Sequence, residues 1–360
     1  MSFSIAPVNT TPPVSQPSLN QPITQVINFT GNILATRGVG EHANVITIGI
    51  PPPSPICLQG PVWTARTASS SKRWRTTIYG VGRFIAVGLN PATGRAVAMY
   101  SDNKGVTWTE SPTAFPDTFG YGFGPITTAY GNGVFFGAIN AAQALRSIDG
   151  INWSLVTVDF STSSVHFGGT AFVFSLNGMQ STCRVSNDGL TFTSRNMPTS
   201  DAWGSGAYGN GRHMLSATAR PAYSDDDGVS WALGGAFPSS TGIASMAFGN
   251  GVWLAVPNNP VQQIFRSADG GLTWGTVEMG ANDTWNRIKY MGGIFYITGQ
   301  GGIQSRKSVD DGVTWVPAND TVSLLGSIYF DFSFDAQGYR YVAVGDGGYI
   351  TSTVNSGICG

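Results

Sequence analysis

Three carboxylates and a group of guanidinium, aromatic and amide side chains stand outside the repeated segments of this chain. They are its candidates for chemistry. Most Asp residues fall in the turn motifs, and Asp201, Asp283 and Asp331 remain as the candidate acids. Two carboxylates facing each other across about 5–10 Å would suit cleavage of a glycosidic bond. In the same sequence phase lie Arg73, Trp74, Arg75, Tyr121, His166, Trp203, Trp285 and Arg287. Asn90, Arg95, Asn140, Asn177, Arg220, Asn258, Asn259 and Gln262 extend the set. Flat apolar faces interleaved with donors are what a sugar-binding surface needs. The competing expectation is that Trp74, Trp203 and Trp285 pack between structural elements, as large rings commonly do. The glutamates are Glu41, Glu110 and Glu278, and the last two directly follow turn motifs. His42, His166 and His213 are scattered, and each reads as structural. There is no zinc spacing, no Ser-His-Asp context and no phosphate loop. No metal and no cofactor is expected.

The elements that must position these residues are written in a repeat. Ser-x-Asp-x-Gly-x-Thr-Trp stands at Ser267, Asp269, Gly271, Thr273, Trp274 and again at Ser308, Asp310, Gly312, Thr314, Trp315. Variants carry Asn103, Asp149, Asp188 and Asp226 at the acid position, and Thr353-x-Asn355-x-Gly357 supplies a half-copy near the end. A spacing of roughly 40 residues belongs to propellers and solenoids. The motif predicts a tight turn between two outer strands. Gly gives the positive φ, Ser and Asp oxygens bond backbone N–H groups, and Trp buries its ring on the neighbouring sheet. A second repeat runs in phase, an aromatic residue and Gly before an apolar strand: Tyr79-Gly80, Tyr130-Gly131, Phe167-Gly168, Tyr208-Gly209 and Phe248-Gly249. Tyr290-Met291-Gly292-Gly293 and Asp335-Ala336-Gln337-Gly338 complete it. Asn-Gly or Gly-Gly between apolar runs is a strong hairpin signal. Seven hairpins predict an all-β, seven-bladed β-propeller of four-stranded antiparallel blades over residues 60–360.

The first motif resembles the Asp-box, or bacterial neuraminidase repeat, of sialidases, many glycoside hydrolases and photosystem assembly factors. That resemblance implies the propeller fold and places the boxes away from the ligand face. A sialidase would further need an Arg-Ile-Pro signature, an arginine cluster and a Tyr–Glu pair. The signature is absent, and six blades would be expected instead of seven. One carboxylate per box is too few oxygens for calcium.

Gly60-Pro61-Val62-Trp63-Thr64 reads like the second half of a box, so the start of the propeller is expected to supply the outer strand of its last blade and close the ring. Cys57 and Cys359 flank that seam. A disulfide between them would close a long loop, which favours such a bond; unpaired thiols, or thiols used with another subunit, are the alternatives. Cys183 sits in a strand pattern and is expected to be buried.

Only 11% of residues are charged and the net charge is -1, which leaves no footprint for nucleic acid and no basic patch for a membrane. No apolar stretch reaches the ~18 residues that a spanning helix needs. Met1 to Gln16 lacks the basic and apolar runs of a secretory signal. Residues 1–59 differ from the rest. Residues 7–23 are rich in Pro, Ser, Thr, Asn and Gln, and two short alternating strands are expected at Val26–Thr30 and Val45–Ile48. Pro51-Pro52-Pro53-Ser54-Pro55 follows as a stiff spacer. This Phe-Thr-Gly strand, turn and Val-Ile-Thr-Ile strand resemble a β-module of tail-fibre and appendage proteins of tailed phages. The resemblance implies a structural component of a virion surface, assembled in the host cytoplasm. The leader would join other virion proteins or form a homotrimer, and the propeller would bind a host-surface glycan without chemistry. A polysaccharide depolymerase on the same propeller is the alternative. An assembly factor resembling the photosystem propellers would be expected to carry a signal or lipid anchor.

Overall fold

Short alternating runs separated by turns that demand a positive φ fold as hairpins, and here the hairpins stack into a ring. The computed structural model describes residues 2–3, 34–36, 47–49, 62–113, 115, 127–138, 143–258, 261–283, 285–299, 305–318, 329–335, 340–345 and 349–354. The chain divides into two units, Met1–Leu58 with Cys359 and Gln59–Ile358 with Gly360.

The larger unit is a seven-bladed propeller of four-stranded antiparallel sheets, with no helix among the described residues. Blade 1 runs Arg73–Gly80, Arg83–Leu89, Ala96–Ser101 and Thr109–Glu110 from the axis outward. The next five blades begin with inner strands Thr127–Gly131, Thr162–Gly168, Gly206–Gly209, Ile243–Gly249 and Trp285–Met291. Blade 7 joins Tyr329–Asp335, Arg340–Gly345 and Tyr349–Val354 to Val62–Thr67, which lies antiparallel with Val62 opposite Val354 and Thr67 opposite Tyr349. Each inner strand touches the next, and that of blade 7 touches that of blade 1, so the ring is closed. Hairpins and boxes share one end of the channel, the box face; the remaining loops share the other.

The hairpins obey turn chemistry. φ is positive at both central residues of Asn132-Gly133, Asn210-Gly211, Asn250-Gly251, Gly292-Gly293 and also Val81-Gly82. The boxes form as their residue types require. In blade 5, Ser267 Oγ donates to Asp269 Oδ1 at 2.7 Å and accepts from Gly271 N at 2.9 Å. Asp269 accepts from the N–H groups of Leu272 and Thr273 and from Thr273 Oγ1. Trp274 Nε1 donates to Gly271 O at 3.2 Å. Each box aromatic packs on the preceding blade: Trp108 against Val342 and Ile350, Trp153 against Ile85, Trp315 against Leu254. Blade 3 has Phe192 there, edge-on to Phe136 at 6.0 Å.

Box turns also tie blades to one another. Arg83 donates to Asp149 O, Arg146 to Asp188 O, Arg212 to Gly270 O and Arg266 to Asp311 O, each reaching the box of the following blade. Cys183 is fully buried, and burial pushes its thiol up to about 12.

In the smaller unit the described strands are Ser2–Phe3, Leu34–Thr36 and Thr47–Gly49, with Thr47–Gly49 central and antiparallel to both others. This corrects the expectation of two strands: Leu34–Thr36 falls in the stretch read as a connecting turn, where a short apolar pair was outvoted by its Gly-bearing surroundings. Val26–Thr30, Cys57, Cys359 and Asn355 lie outside the described residues.

Candidate functional site

The inner strands wall a channel along the propeller axis, open to solvent, with a volume of about 350 Å³. Its construction follows a register counted back from the hairpin. The residue one before the turn position is aromatic in every blade: Tyr79, Tyr130, Phe167, Tyr208, Phe248, Tyr290 and Phe334. All seven are half-buried, and Tyr130, Phe167, Tyr208, Phe248 and Tyr290 line the channel as a collar at its box-face end. Each stacks on its own second strand, as in Tyr130–Phe135 at 4.5 Å, Phe248–Trp253 at 4.9 Å and Tyr290–Phe295 at 4.7 Å. Five of them, Tyr130, Phe167, Tyr208, Phe248 and Tyr290, also lie on the glycine of the preceding blade. A Cβ at Gly131 would fall 2.1 Å from the Phe167 ring, and one at Gly209 would fall 1.9 Å from Phe248. Glycine stands there because the next blade's aromatic occupies the space.

Four residues before the turn, a side-chain oxygen ties the inner strand to the next one in blades 2, 4, 5 and 7. Thr127 Oγ1 accepts from Val165 N at 3.1 Å, Ser205 Oγ from Met246 N at 3.1 Å and Ser245 Oγ from Ile288 N at 3.2 Å. Blade 7 uses Asp331 at this register. Its Oδ2 accepts from Thr77 N at 3.1 Å and Thr76 Oγ1 at 2.8 Å, and its Oδ1 lies 2.8 Å from Lys289 Nζ. Asp331 therefore clamps blades 6, 7 and 1 together. Lys289 also donates to Phe332 O.

Of the residues proposed from sequence, His166, Arg287 and Asp331 line this channel. They sit on inner strands, whereas the sequence placed them on loops. Trp74, Trp203 and Trp285 are a correction: they are 0%, 2% and 0% exposed and cannot offer a face to a ligand. Trp74 packs with Val342 and Val344, Trp203 with Leu215 and Ala217, and Trp285 with Ile288 and Ile297, so the interior takes all three. Arg73 and Arg75 are half-buried at the loop-face end of blade 1 and both are partnered. Asp201 ends the strand Thr193–Asp201 and accepts from Ala202 N at 2.8 Å, away from the channel lining. Asp283 ends the strand Gly275–Asp283 opposite Val261; its side chain and the whole of Tyr121 lie outside the described residues.

The histidines are a second correction, because two of them meet. His166 Nε2 lies 3.1 Å from His213 Nδ1, and His213 Nε2 lies 3.5 Å from Asp227 Oδ1. A neutral pair with Nε2–H on both rings satisfies this chain: His166 donates to His213, and His213 faces Asp227. His166 Nδ1 is then a lone pair, buried beside Gly206, where a Cβ would come within 2.4 Å of it. Burial, and then the neighbouring His213, hold His166 well below its ordinary value. Burial lowers His213 too, against the opposing pull of Asp227. The sequence separates the two by 47 residues, and only the phase of adjacent blades signals the contact. No group of three or more His, Cys, Asp or Glu among the described residues could hold a metal ion.

An aromatic collar, a wall of hydroxyls and one clamped carboxylate line this solvent-open channel. The fold it sits in is the seven-bladed β-propeller. Among solved structures the chain is similar to Ycf48 bound to D1 peptide, with a TM-score of 0.64 and 14% identity over 83% of this chain and 99% of that one. It is similar to Ycf48 from Cyanidioschyzon merolae, with a TM-score of 0.61 and 12% identity over 82% and 100%. It is also similar to the WD40 β-propeller domain of Doa1, with a TM-score of 0.60 and 10% identity over 83% and 98%. At these identities the likeness is one of fold. No family model and no curated protein sequence matches the chain.

Proposed function

We propose that this chain is a binding component of a tailed-phage particle. The propeller holds a glycan of the host surface without cleaving it. Residues 1–59 attach it to other virion proteins, and assembly takes place in the host cytoplasm. The observation that carries this reading is the channel itself. Aromatic faces, tyrosine and serine hydroxyls and an arginine converge on a volume within the range of ligand sites. Its wall carboxylate, Asp331, is committed to Lys289, Thr76 and Thr77, and so is poorly placed to share a proton with a second acid. The box repeat, with its resemblance to the Asp-box, supports an exposed and tightly turned body. Weak single sites gain from many copies on one particle.

The test incubates the full chain with host-surface polysaccharide and measures retention together with released reducing ends. Retention with no rise in reducing ends is expected. Release of fragments would transfer the site to the depolymerase, and absence of retention would remove the glycan. Light scattering of the full chain beside one starting at Pro55 asks about the leader. A trimer that becomes a monomer on truncation is the expected result.

A further inference from the structure

Arg287 departs from the pattern that joins four of the inner strands to their neighbours. It occupies, in blade 6, the register at which Thr127, Ser205, Ser245 and Asp331 each give an oxygen to the next blade. A guanidinium has no acceptor to give. Its backbone N–H donates to Thr298 Oγ1 at 3.3 Å, but its side chain makes no hydrogen bond or ion pair among the described residues. That side chain is half-buried and lines the channel. The neighbouring charges do not answer it. Lys289 and Asp331 neutralise each other, and His166 is held neutral. Among its described lining residues the channel thus carries one uncompensated positive charge, in a partly desolvated tube where a field is focused.

A half-buried fork of donors without a partner is costly, and a carboxylate recovers that cost through two parallel hydrogen bonds. Three residues along the strand from Arg287, Tyr290 belongs to the aromatic collar, roughly 10 Å away at the rise of an extended chain. We propose that Arg287 anchors the carboxylate of an acidic sugar in the channel, with the rest of the sugar lying against the collar. This rests on the glycan-binding reading above and names the class of glycan. The oxygen pattern explains the position. Blade 6 gives up one inter-strand bond, and the ring tolerates the loss because Lys289 bridges blades 6 and 7 through Asp331 and Phe332.

The experiment titrates the full chain with methyl glucuronoside and with methyl glucoside by calorimetry, in the wild type, Arg287→Gln and Arg287→Lys, each checked for an unchanged melting temperature. The acidic sugar is expected to bind at least 10-fold more tightly than the neutral one. R287Q erases the difference and R287K keeps part of it, since a point charge replaces a fork. Equal binding of both sugars, unmoved by R287Q, overturns the inference and leaves the glycan reading standing. If neither sugar binds and host polysaccharide is not retained, both fall. A peptide ending in a free carboxylate, titrated in parallel, overturns the sugar class if it binds more tightly than the glucuronoside.

Discussion

Val81 sits where blades 2 to 6 have asparagine or glycine, and it shows what the hairpins demand of a single residue. Its φ is 44°, in the region that a β-branched side chain adopts at a cost. The left-handed conformation costs an L-residue roughly 1–2 kcal/mol, and asparagine recovers part of it by local hydrogen bonding. Val81 is exposed, so no core packing is lost on replacement. Val81→Asn is expected to raise the free energy of unfolding by about 1 kcal/mol, read as a higher urea midpoint. A lower midpoint would mean that Val81 makes a contact of its own. At this scale the turn was legible in sequence, because Asn-Gly has few other uses between apolar runs. The tryptophans were not. Trp74, Trp203 and Trp285 have the type a ligand face would want, and only the packing of one blade on the next decides that they are interior.

Blades meet along their faces, and the His166–His213 contact is where blades 3 and 4 make that meeting sensitive to protons. Both rings have folded values below the ordinary 6.5. Below pH 6.5 the unfolded chain therefore binds more protons than the folded one, and stability falls as pH falls. The contribution is complete above 6.5 and is lost as pH drops through the folded values. Asp149, Asp226 and Asp269 act lower on the scale. Burial alone would raise Asp149 and Asp269, but hydrogen bonds from their own turns outweigh it; in Asp226 the bond from Ser230 leads. All three are held at about 2, so their share is present above 3.8 and is lost toward pH 2. A urea midpoint that declines between pH 6.5 and 5 in the wild type, and stays level there in His166→Asn/His213→Gln, is the expected pattern. A wild-type midpoint level over the same interval would show that the pair is not linked to folding. Sequence reading treated each histidine as isolated, because the stagger that joins them belongs to the contact between blades and to neither blade alone. For the same reason Asp331 looked like a free acid, when its register makes it the counterpart of Thr127, Ser205 and Ser245.

Seen whole, the ring depends on a strand that precedes everything else in it. Val62–Thr67 covers the edge of Tyr349–Val354, whose Ile350, Thr351, Ser352 and Thr353 are buried. A chain beginning at Pro55 keeps this strand and is expected to melt at the temperature of the full chain. A chain beginning after Thr67 leaves an open edge, melts lower and self-associates through it, as seen by sedimentation. Equal melting of the two would place closure elsewhere. Closure was legible because Val62-Trp63-Thr64 reads like the second half of a box and Thr353-x-Asn355-x-Gly357 like a first half. The collar was half legible: the aromatic–glycine pairs were visible, but their stacking from blade to blade needs the ring.

That same closure sets a clock on biosynthesis. Arg66 and Ser352, joined by a 2.8 Å hydrogen bond in the finished ring, are 286 residues apart in the order of synthesis. A ribosome adding about 5–20 residues per second needs roughly 15–60 seconds to deliver the second after the first. Through that interval Val62–Thr67 has no sheet to join while blades 1 to 6 take shape behind it. Thr64, Arg66 and Thr67 give the waiting strand a polar and charged character that discourages pairing with the wrong chain. Closing the ring is thus the capture of a strand made before the six blades that separate it from its partner, and a nascent chain stalled before Tyr349 is an open ring.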